Sequence, residues 1–330
     1  MNRRDFLKAA VASGLASYVP LSRDEFTISD NITKKGPLPR RPLGKTGESL
    51  SIIGLGGVIF RKMEDTKRAK KIVTDAVEAG VNFVDVAPAY GNAQKILGPI
   101  LKPHRKDLFL ACKSQQRTKE GMLGEMRESF STLKTDYFDL YQMHYLNTSK
   151  DIRTAFGKDG AVEAIEQAKK EGLIRYAGFS AHTVEAAMEA MELYDFDTIL
   201  FPVNFPSWYK ENFGPQVIEY AIRKGIAVLG MKTQVLRQKQ RGETSDCPNC
   251  WYKPILDPLE ASTALNFALS KPVTTVMPPG DEGLFRMTLK LAHSFIPVTE
   301  NEKDTLKMQA KEINRTLFEY PAKNFKIVQD

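Results

Sequence analysis

The sequence predicts an α/β fold, a closed (β/α)8 TIM barrel with one additional C-terminal helix. From residue 41 onward, eight short apolar runs rich in β-branched residues are each followed by a longer stretch of helical periodicity. Strands that alternate with helices in this way are typical of parallel βα units. The chain has 330 residues, which leaves room for a barrel domain of about 250 residues with extensions.

The predicted elements alternate in the order that a barrel requires. The strands are predicted at 50–56, 82–87, 108–113, 138–144, 174–180, 198–204, 226–232 and 273–277. The helices are predicted near 65–79, 92–101, 119–134, 160–171, 183–193, 213–224, 258–269 and 281–294. A further helix is predicted over 299–318, where it would cross the outside of the barrel.

The alternative architecture is an open, doubly wound sheet that binds a dinucleotide at a glycine-rich turn. Such a turn needs the spacing G-x-G-x-x-G directly after the first strand. The first strand does run into Gly54-Leu55-Gly56, but Ile59 stands where the third glycine is required. The failed spacing favours the closed barrel over the open sheet.

Composition and charge narrow the class of protein. Apolar residues make up 42% of the chain and charged residues 26%, values that suit a soluble globular enzyme. No apolar run approaches the roughly 18 residues that a spanning helix needs, so no stable membrane span is predicted. The formal net charge is +7, but the cations lie among acidic residues and form no basic stripe of the kind that binds nucleic acid.

The first residues have the pattern of an export signal. The stretch RRDFLK at 3–8 precedes a weakly hydrophobic, alanine-rich segment, and a twin arginine in this setting is typical of signals for the twin-arginine (Tat) export machinery. An ordinary amphipathic N-terminal helix is the other interpretation. We therefore expect a signal at 1–22, a linker at 23–40 and the barrel domain at 41–330, in a periplasmic or otherwise exported protein.

Four polar side chains follow or end consecutive predicted strands. Asp85 ends the second strand and Tyr90 lies in the loop after it, whereas Lys113 and His144 end the third and fourth strands. Catalytic groups of (β/α)8 barrels lie at the C-terminal ends of the strands, so these four should meet on one face. Each of them could instead be a structural residue, such as a buried ion pair or a core histidine, but four in register favour a catalytic cluster.

The four side chains together could transfer a proton to or from an oxygen. A free tyrosine has a pKa of about 10, and a neighbouring ammonium stabilises the phenolate and lowers that pKa. An aspartate holds the lysine charged, and a histidine can orient the reacting oxygen. The sequence therefore predicts acid–base chemistry on a carbonyl or an alcohol.

These residues and their surroundings resemble the aldo-keto reductase family. The segments that carry the resemblance are RPLGKTG at 41–47, IGLG at 53–56, GVNFVDVAPAYG at 80–91, ACK at 111–113, YFDLYQMH at 137–144 and IRYAGFS at 174–180. The resemblance implies that Tyr90 is the general acid/base, Lys113 tunes it, Asp85 pairs with Lys113 and His144 positions the substrate carbonyl. It also implies a barrel that binds NADPH in an extended form.

The resemblance extends to cofactor-binding positions, with departures. Ser180 matches the residue that contacts the nicotinamide amide, whereas Ala181 replaces the usual neighbouring asparagine, and Asn204 is the candidate to supply that contact. Met231 stands where many members have an aromatic residue that stacks on the nicotinamide. Lys232, beside it, either faces the cofactor's pyrophosphate or is a solvated lysine.

Cofactor choice depends on the end of the last strand. Many members place basic or hydroxyl residues there for the ribose 2′-phosphate, but this chain has Gly280 and Asp281. Arg286 lies within one residue of the family's arginine position and is the candidate for the 2′-phosphate. NADP(H) is expected, with NAD as the alternative.

A long loop after the seventh predicted strand contains Cys247 and Cys250. A disulfide suits an exported protein, half a metal site would need a second pair of ligands, and a redox-active dithiol would need a thioredoxin-like context. The sequence offers no second pair of ligands and no thioredoxin-like context, so a disulfide or a pair of idle thiols is favoured and no metal site is predicted.

The sequence as a whole predicts an NADP(H)-dependent oxidoreductase that acts on a small carbonyl or alcohol substrate. The alternative is a catalytically idle barrel that binds the nicotinamide as a sensor. Turnover of a panel of carbonyl compounds would separate the two.

Overall fold

The computed structural model describes residues 36–244 and 247–321. The predicted signal at 1–22 and most of the predicted linker lie outside these residues. Within them, eight strands form one parallel sheet, in which each of the eight pairs with the next of them along the chain. Its two edges meet, because Ile53 pairs in parallel with Val276 and Gly54 N donates to Val276 O at 3.0 Å. The predicted (β/α)8 barrel is confirmed, and the open sheet is not observed.

The bounds of the elements follow in chain order. The strands are β1 (Arg40–Pro42), β2 (Ser49–Ser51), β3 (Leu55–Gly56), β4 (Phe83–Asp85), β5 (Phe109–Ser114), β6 (Phe138–Leu146), β7 (Ile174–Ala181), β8 (Thr198–Pro202), β9 (Ala227–Met231), β10 (Val235–Gln238), β11 (Tyr252–Pro254) and β12 (Thr275–Met277). The helices are α1 (Thr66–Glu78), α2 (Ala93–Leu101), α3 (Lys119–Leu133), α4 (Ser149–Phe156), α5 (Ala161–Lys170), α6 (Val184–Leu193), α7 (Phe205–Lys210), α8 (Pro215–Lys224), α9 (Pro258–Leu269), α10 (Glu282–Ala292) and α11 (Glu300–Glu312).

A hairpin closes the N-terminal end of the barrel. It consists of the antiparallel strands β1 and β2, and it buries Leu43 and Leu50 in the interior cluster of the barrel. Arg41 ties the hairpin to the barrel by donating to Val273 O and Leu269 O, each at 2.8 Å. The residue range predicted as the first strand, 50–56, is therefore divided between this hairpin and barrel strand β3.

All eight predicted barrel helices are present, and the loops at the C-terminal end carry structure that the periodicity did not indicate. Helix α4 follows β6, helix α7 follows β8, and β10 pairs with β11 after β9. These insertions lie after strands, which is where the catalytic loops of such barrels lie. No helix in the described ranges is long and apolar enough to cross a membrane.

The additional C-terminal helix is confirmed, but it is shorter than predicted. Helix α11 ends at Glu312, and Ile313 adopts an extended conformation. The following segment pairs with the loop after β9 instead, since Gln238 N donates to Arg315 O at 3.2 Å. The buried residues Leu317 and Phe318 thus belong to a strap across the mouth of the barrel rather than to a helix.

Candidate active site

A buried ion pair lies at the C-terminal end of the barrel. The register pairs Asp85 of β4 with Ala111 of β5, and Lys113, two residues further along, points to the same face of the strand. Lys113 Nζ donates to Asp85 Oδ2 at 2.5 Å. Lys113 is 0% exposed and Asp85 3%, and a charge this deeply buried requires a partner. Burial lowers the pKa of Lys113 and the charge of Asp85 raises it, and the net pKa lies above its usual value.

Tyr90 lies at the third corner of this cluster. A single turn of 3-10 helix, Pro88–Tyr90, follows β4 and brings the phenol over the barrel mouth. Lys113 Nζ donates to the Tyr90 hydroxyl oxygen at 3.2 Å and lies 4.9 Å from the centre of the ring. The two groups are therefore close enough for direct stabilisation of a phenolate by the ammonium.

The pKa of Tyr90 is raised, whereas the neighbouring ammonium by itself would lower it. Lys113 does lower the pKa of Tyr90, but burial raises it by more, and the net pKa lies above its usual value. A buried phenol therefore stays protonated near neutral pH. This is the form that a general acid needs when a carbonyl is reduced.

Gln142 is a member of the cluster that the sequence reasoning missed. Its Nε2 donates to Asp85 Oδ1 at 3.1 Å, so both carboxylate oxygens have a donor. Gln142 lies directly opposite Lys113 in the β5–β6 register. A glutamine within the otherwise apolar run of β6 is the sequence signal that could have identified it.

His144 faces Tyr90 from the end of β6. The two rings meet edge to face, with centres 5.6 Å apart. Burial and, after it, the charges of nearby Lys113, Arg117 and Lys232 lower the pKa of His144 to about 3. The imidazole is therefore neutral, and its Nδ1 is buried without a hydrogen-bond partner among the described residues. A neutral imidazole can donate one hydrogen bond to a reacting oxygen.

Two neighbours hold the end of β6 in place. Arg117, anchored on Asp151 at 3.1 Å, donates to the carbonyl oxygens of His144 at 2.8 Å and Tyr145 at 2.9 Å. Tyr145 has a φ of 65°, a left-handed conformation that is uncommon for a residue other than glycine. Its backbone N–H donates to Ser180 Oγ at 2.8 Å.

A small cavity of about 70 Å³ opens beside the cluster of Asp85, Lys113 and Tyr90. Asp85 and Tyr90 line one side, and Met231 and Lys232, which end β9, line another. Lys232 has a φ of 56° and makes no ion pair with a described carboxylate; its Nζ lies 5.0 Å from the centre of the Tyr252 ring. Burial, followed by the charge of Lys113, lowers the pKa of Lys232 to about 8. An uncompensated cation of this kind attracts anions.

The other predicted cofactor residues lie at neighbouring strand ends. Ser180 accepts from Tyr145, and its own hydroxyl proton stays available for a further bond. Asn204 Oδ1 accepts from Ser207 N at 3.0 Å and caps α7, whereas Asn204 Nδ2 is buried and unpaired among the described residues. An orphaned amide donor beside the strand ends is consistent with an acceptor that arrives with a ligand.

Arg286 is engaged on the outside of the barrel. It donates to Asp75 of α1 at 2.6 Å and to Glu282 at 3.0 Å. Asp281 caps the same helix, since its Oδ1 accepts from Leu284 N at 3.0 Å. A 2′-phosphate would have to share the guanidinium with two carboxylates, a competition that the sequence did not reveal.

The cysteine pair forms a disulfide between Cys247 and Cys250. The short loop that it closes projects Asn249 into the cavity, where Asn249 Nδ2 donates to Gly280 O at 3.0 Å and to Val58 O at 3.2 Å. Asn249 therefore bridges the loops after β3 and β12, above the space that adjoins Tyr90.

Comparison with known proteins identifies a family. A family model described as "Aldo/keto reductase family" matches residues 52–245, more than half of the chain. The matched region contains Asp85, Tyr90, Lys113 and His144 but ends before β12 and α10.

Curated relatives are distant and matched in part. The chain is 28% identical over 212 residues to "Uncharacterized oxidoreductase YqkF" of Bacillus subtilis, covering 59% of this chain and 67% of that protein. It is 28% identical over 189 residues to "Methylglyoxal reductase DkgB" of Salmonella typhimurium, covering 56% of this chain and 67% of that protein. The match spans from about half to two thirds of the length of such relatives.

A solved structure supports the fold. The "aldo-keto reductase AKR11C1 from Bacillus halodurans (holo form)" superimposes with a TM-score of 0.66 at 23% identity. The superposition covers 82% of this chain and 96% of that one. At this identity the likeness shows the shared barrel and no more.

Proposed function

Because the chain belongs to the aldo/keto reductase family of oxidoreductases, we propose that it transfers a hydride reversibly between NADP(H) and a carbonyl or alcohol substrate. The observation that carries this proposal is the position of Lys113 Nζ, 2.5 Å from Asp85 Oδ2 and 3.2 Å from the Tyr90 hydroxyl. One relative is a methylglyoxal reductase, and methylglyoxal is also a carbonyl compound.

Each residue of the cluster has a distinct role in this proposal. In reduction, the Tyr90 hydroxyl donates its proton to the carbonyl oxygen, and the Lys113 ammonium stabilises the phenolate that is left. Asp85 keeps Lys113 charged and oriented. The neutral imidazole of His144 donates a hydrogen bond to the same oxygen and orients it. In alcohol oxidation, the phenolate form of Tyr90 accepts the proton.

The residues present fit a nicotinamide cofactor, which supplies the hydride when bound. Lys232, which pairs with no described carboxylate, offers a cation to a phosphate. Asn204 Nδ2 and the Ser180 hydroxyl offer donors to the carboxamide, and the flexible thioether of Met231 offers an apolar contact to the ring. Asn249 crosses the same space, so we expect its loop to move when the cofactor enters.

We propose NADPH as the cofactor, with NAD as the alternative. Arg286 is the residue proposed for the 2′-phosphate, and a guanidinium is suited to such a group. Asp75 and Glu282 compete with the phosphate for this guanidinium. The catalytically idle sensor has less support, because the catalytic cluster is assembled.

A panel of aldehydes and ketones, followed by NADPH and NADH absorbance, tests the function. Turnover that depends on a nicotinamide and requires Tyr90 supports it. Binding of either cofactor without turnover of any carbonyl, or of any alcohol in the reverse direction, would favour the sensor instead.

We also propose export by the twin-arginine route, because of the pattern at Arg3 and Arg4. Replacing both with Lys keeps the charge and breaks the pattern. Fractionation should then find the protein retained in the cytoplasm, and unchanged export would contradict the proposed route.

A further inference from the structure

A second histidine, His182, lies at the mouth of the barrel beside His144. It follows the last residue of β7, and its backbone N–H donates to Asn147 Oδ1 at 2.7 Å. Neighbouring strands β6 and β7 place the two histidines on adjacent strand ends, since Leu146 pairs with Ala181. Tyr145, the residue after His144, has its ring centre 4.9 Å from that of His182.

The ring of His182 is enclosed by aromatic side chains. Phe318, in the C-terminal strap, stacks on it in parallel at 5.5 Å with an interplanar angle of 6°. Tyr145 meets it edge-on from another side. An apolar side chain would fill such a site without any hydrogen-bonding requirement, so packing alone does not explain a histidine here.

Both ring nitrogens of His182 are buried and have no hydrogen-bond partner among the described residues. Most buried polar groups in proteins are paired, and an exception calls for a specific explanation. Two unpaired atoms on one ring, next to the unpaired Nδ1 of His144, indicate groups that a ligand satisfies.

The surroundings define the protonation state of the ring. Burial and, after it, the positive charge of Lys232 hold the pKa of His182 well below its usual value. The imidazole is therefore neutral at physiological pH, with one N–H donor and one lone-pair acceptor. A hydroxyl group, which also donates and accepts, complements such a ring better than a carboxylate, which only accepts.

A chain of contacts connects His182 to the cavity beside Tyr90. Lys232 lines that cavity and lies 5.7 Å from the centre of the Trp251 ring. Trp251 meets Phe318 edge-on at 6.2 Å, and Phe318 covers His182. A substrate whose carbonyl reaches Tyr90 and His144 would extend its other end toward His182 once the Phe318 side chain moves aside.

We propose that His182 determines substrate specificity in this site by binding a hydroxyl group carried on the carbon chain next to the reacting carbonyl. This inference rests on the proposed function and specifies the substrate class of the same site. Phe318 covers the imidazole when no such substrate is bound.

The experiment compares glyceraldehyde with propanal, which has the same three-carbon chain without hydroxyls. His182→Phe keeps an aromatic ring and removes both nitrogens, whereas His182→Gln keeps a donor and an acceptor. His104→Gln, in the turn after α2, is the control. We expect His182→Phe to lower kcat/KM for glyceraldehyde about 10- to 100-fold, as is typical when a site loses a bond to a substrate hydroxyl. Propanal should change by less than about twofold.

His182→Gln should recover part of the glyceraldehyde activity, and His104→Gln should behave as wild type. His182→Phe should melt at the same temperature or higher, because two unpaired buried atoms are removed. Equal losses for both aldehydes, or an unchanged ratio, would overturn the inference while leaving the proposed function intact. A wild type that reduces neither aldehyde nor any other carbonyl with NADPH or NADH would contradict the proposed function, and the inference with it.

Discussion

The two ends of the barrel differ in whether their buried charges and ring or amide nitrogens have partners. At the N-terminal end, Asp139 is 3% exposed, yet its carboxylate accepts from Leu110 N at 2.9 Å and pairs with Arg105 and Arg175, each at 2.8 Å. Arg175 also pairs with Glu48 of the hairpin. These charges are buried or half-buried, and each is compensated.

At the C-terminal end, polar groups are buried without partners among the described residues. They include His144 Nδ1, both nitrogens of His182 and Asn204 Nδ2, and Lys232 makes no ion pair with a described carboxylate. Lys232 and Tyr145 also adopt left-handed backbone conformations. Unsatisfied groups and unusual backbone conformations cluster at functional sites. The comparison indicates that one end stabilises the fold and the other is built for ligands.

Lys113→Met should have the largest effect, because it breaks the cluster at its centre. Loss of the ammonium should lower kcat by about 10²–10⁴, the range for general acid catalysis. It should also lower the free energy of unfolding by about 3–5 kcal/mol, since Asp85 is left buried without a counter-charge. Lys169→Met removes a partly exposed pair with Asp197 before β8 and is the control, which should retain wild-type kcat. A wild-type rate in Lys113→Met would remove Lys113 from the mechanism.

A matched pair of aspartate variants compares the two ends directly. Asp139→Asn should lower the free energy of unfolding by about 2–4 kcal/mol, because two arginines lose their carboxylate, and kcat should stay within about twofold. Asp85→Asn should lower kcat by at least about tenfold, because Lys113 loses the charge that orients it. Steady-state kinetics and urea unfolding measure both. If Asp139→Asn lowered kcat as much as Asp85→Asn, the functional division between the ends would be wrong.

Lys232 should make cofactor affinity depend on pH. Its pKa of about 8 in the free protein should rise when a phosphate binds, so protonated Lys232 favours binding. The affinity for the cofactor should change little near pH 7, where Lys232 is protonated. Above pH 8 it should fall by up to about tenfold per pH unit. The nearby His144 and His182 are neutral throughout this range, and Lys113 stays charged. Fluorescence titration with NADH from pH 7 to 9.5 measures this, and Lys232→Gln should abolish the dependence. If Lys232→Gln kept the same pH dependence of affinity, another group would be its cause.

Arg286→Ala should have the smallest effect. Losing one charge-assisted bond typically costs about 1.5–3 kcal/mol, or roughly ten- to hundredfold in affinity, but Asp75 and Glu282 share the guanidinium. We therefore expect NADPH to weaken by about tenfold or less, with NADH hardly changed. Parallel titrations of both cofactors check this. Equal weakening of the two would show that Arg286 does not bind the 2′-phosphate, and a wild type that prefers NADH would contradict the assignment to NADP.

The sequence predicts that the candidate catalytic residues lie together, because this depends only on their order along the chain and on one rule of barrel topology. Asp85, Lys113 and His144 come from successive strand ends, and parallel strands bring such ends together. The eight strands and barrel helices follow for the same reason, since their periodicity is local.

What the sequence does not predict depends on distant partners. Nothing in the sequence near Arg286 indicates that α1 places Asp75 against its guanidinium. The predicted helix over 299–318 stops at Glu312 because the chain beyond it pairs with the loop after β9. The net direction of the Tyr90 pKa depends on burial, which a list of neighbours along the chain cannot supply.

Tyr90→Phe, measured in a single turnover, tests the central claim most directly. The substitution removes the transferable proton and keeps the ring that packs against His144. NADPH absorbance should show the reduction step slowed by about 10²–10⁴, while the Kd for NADPH and the melting temperature stay at wild-type values. A Tyr90→Phe enzyme that oxidises NADPH at the wild-type rate would contradict the account of this end of the barrel.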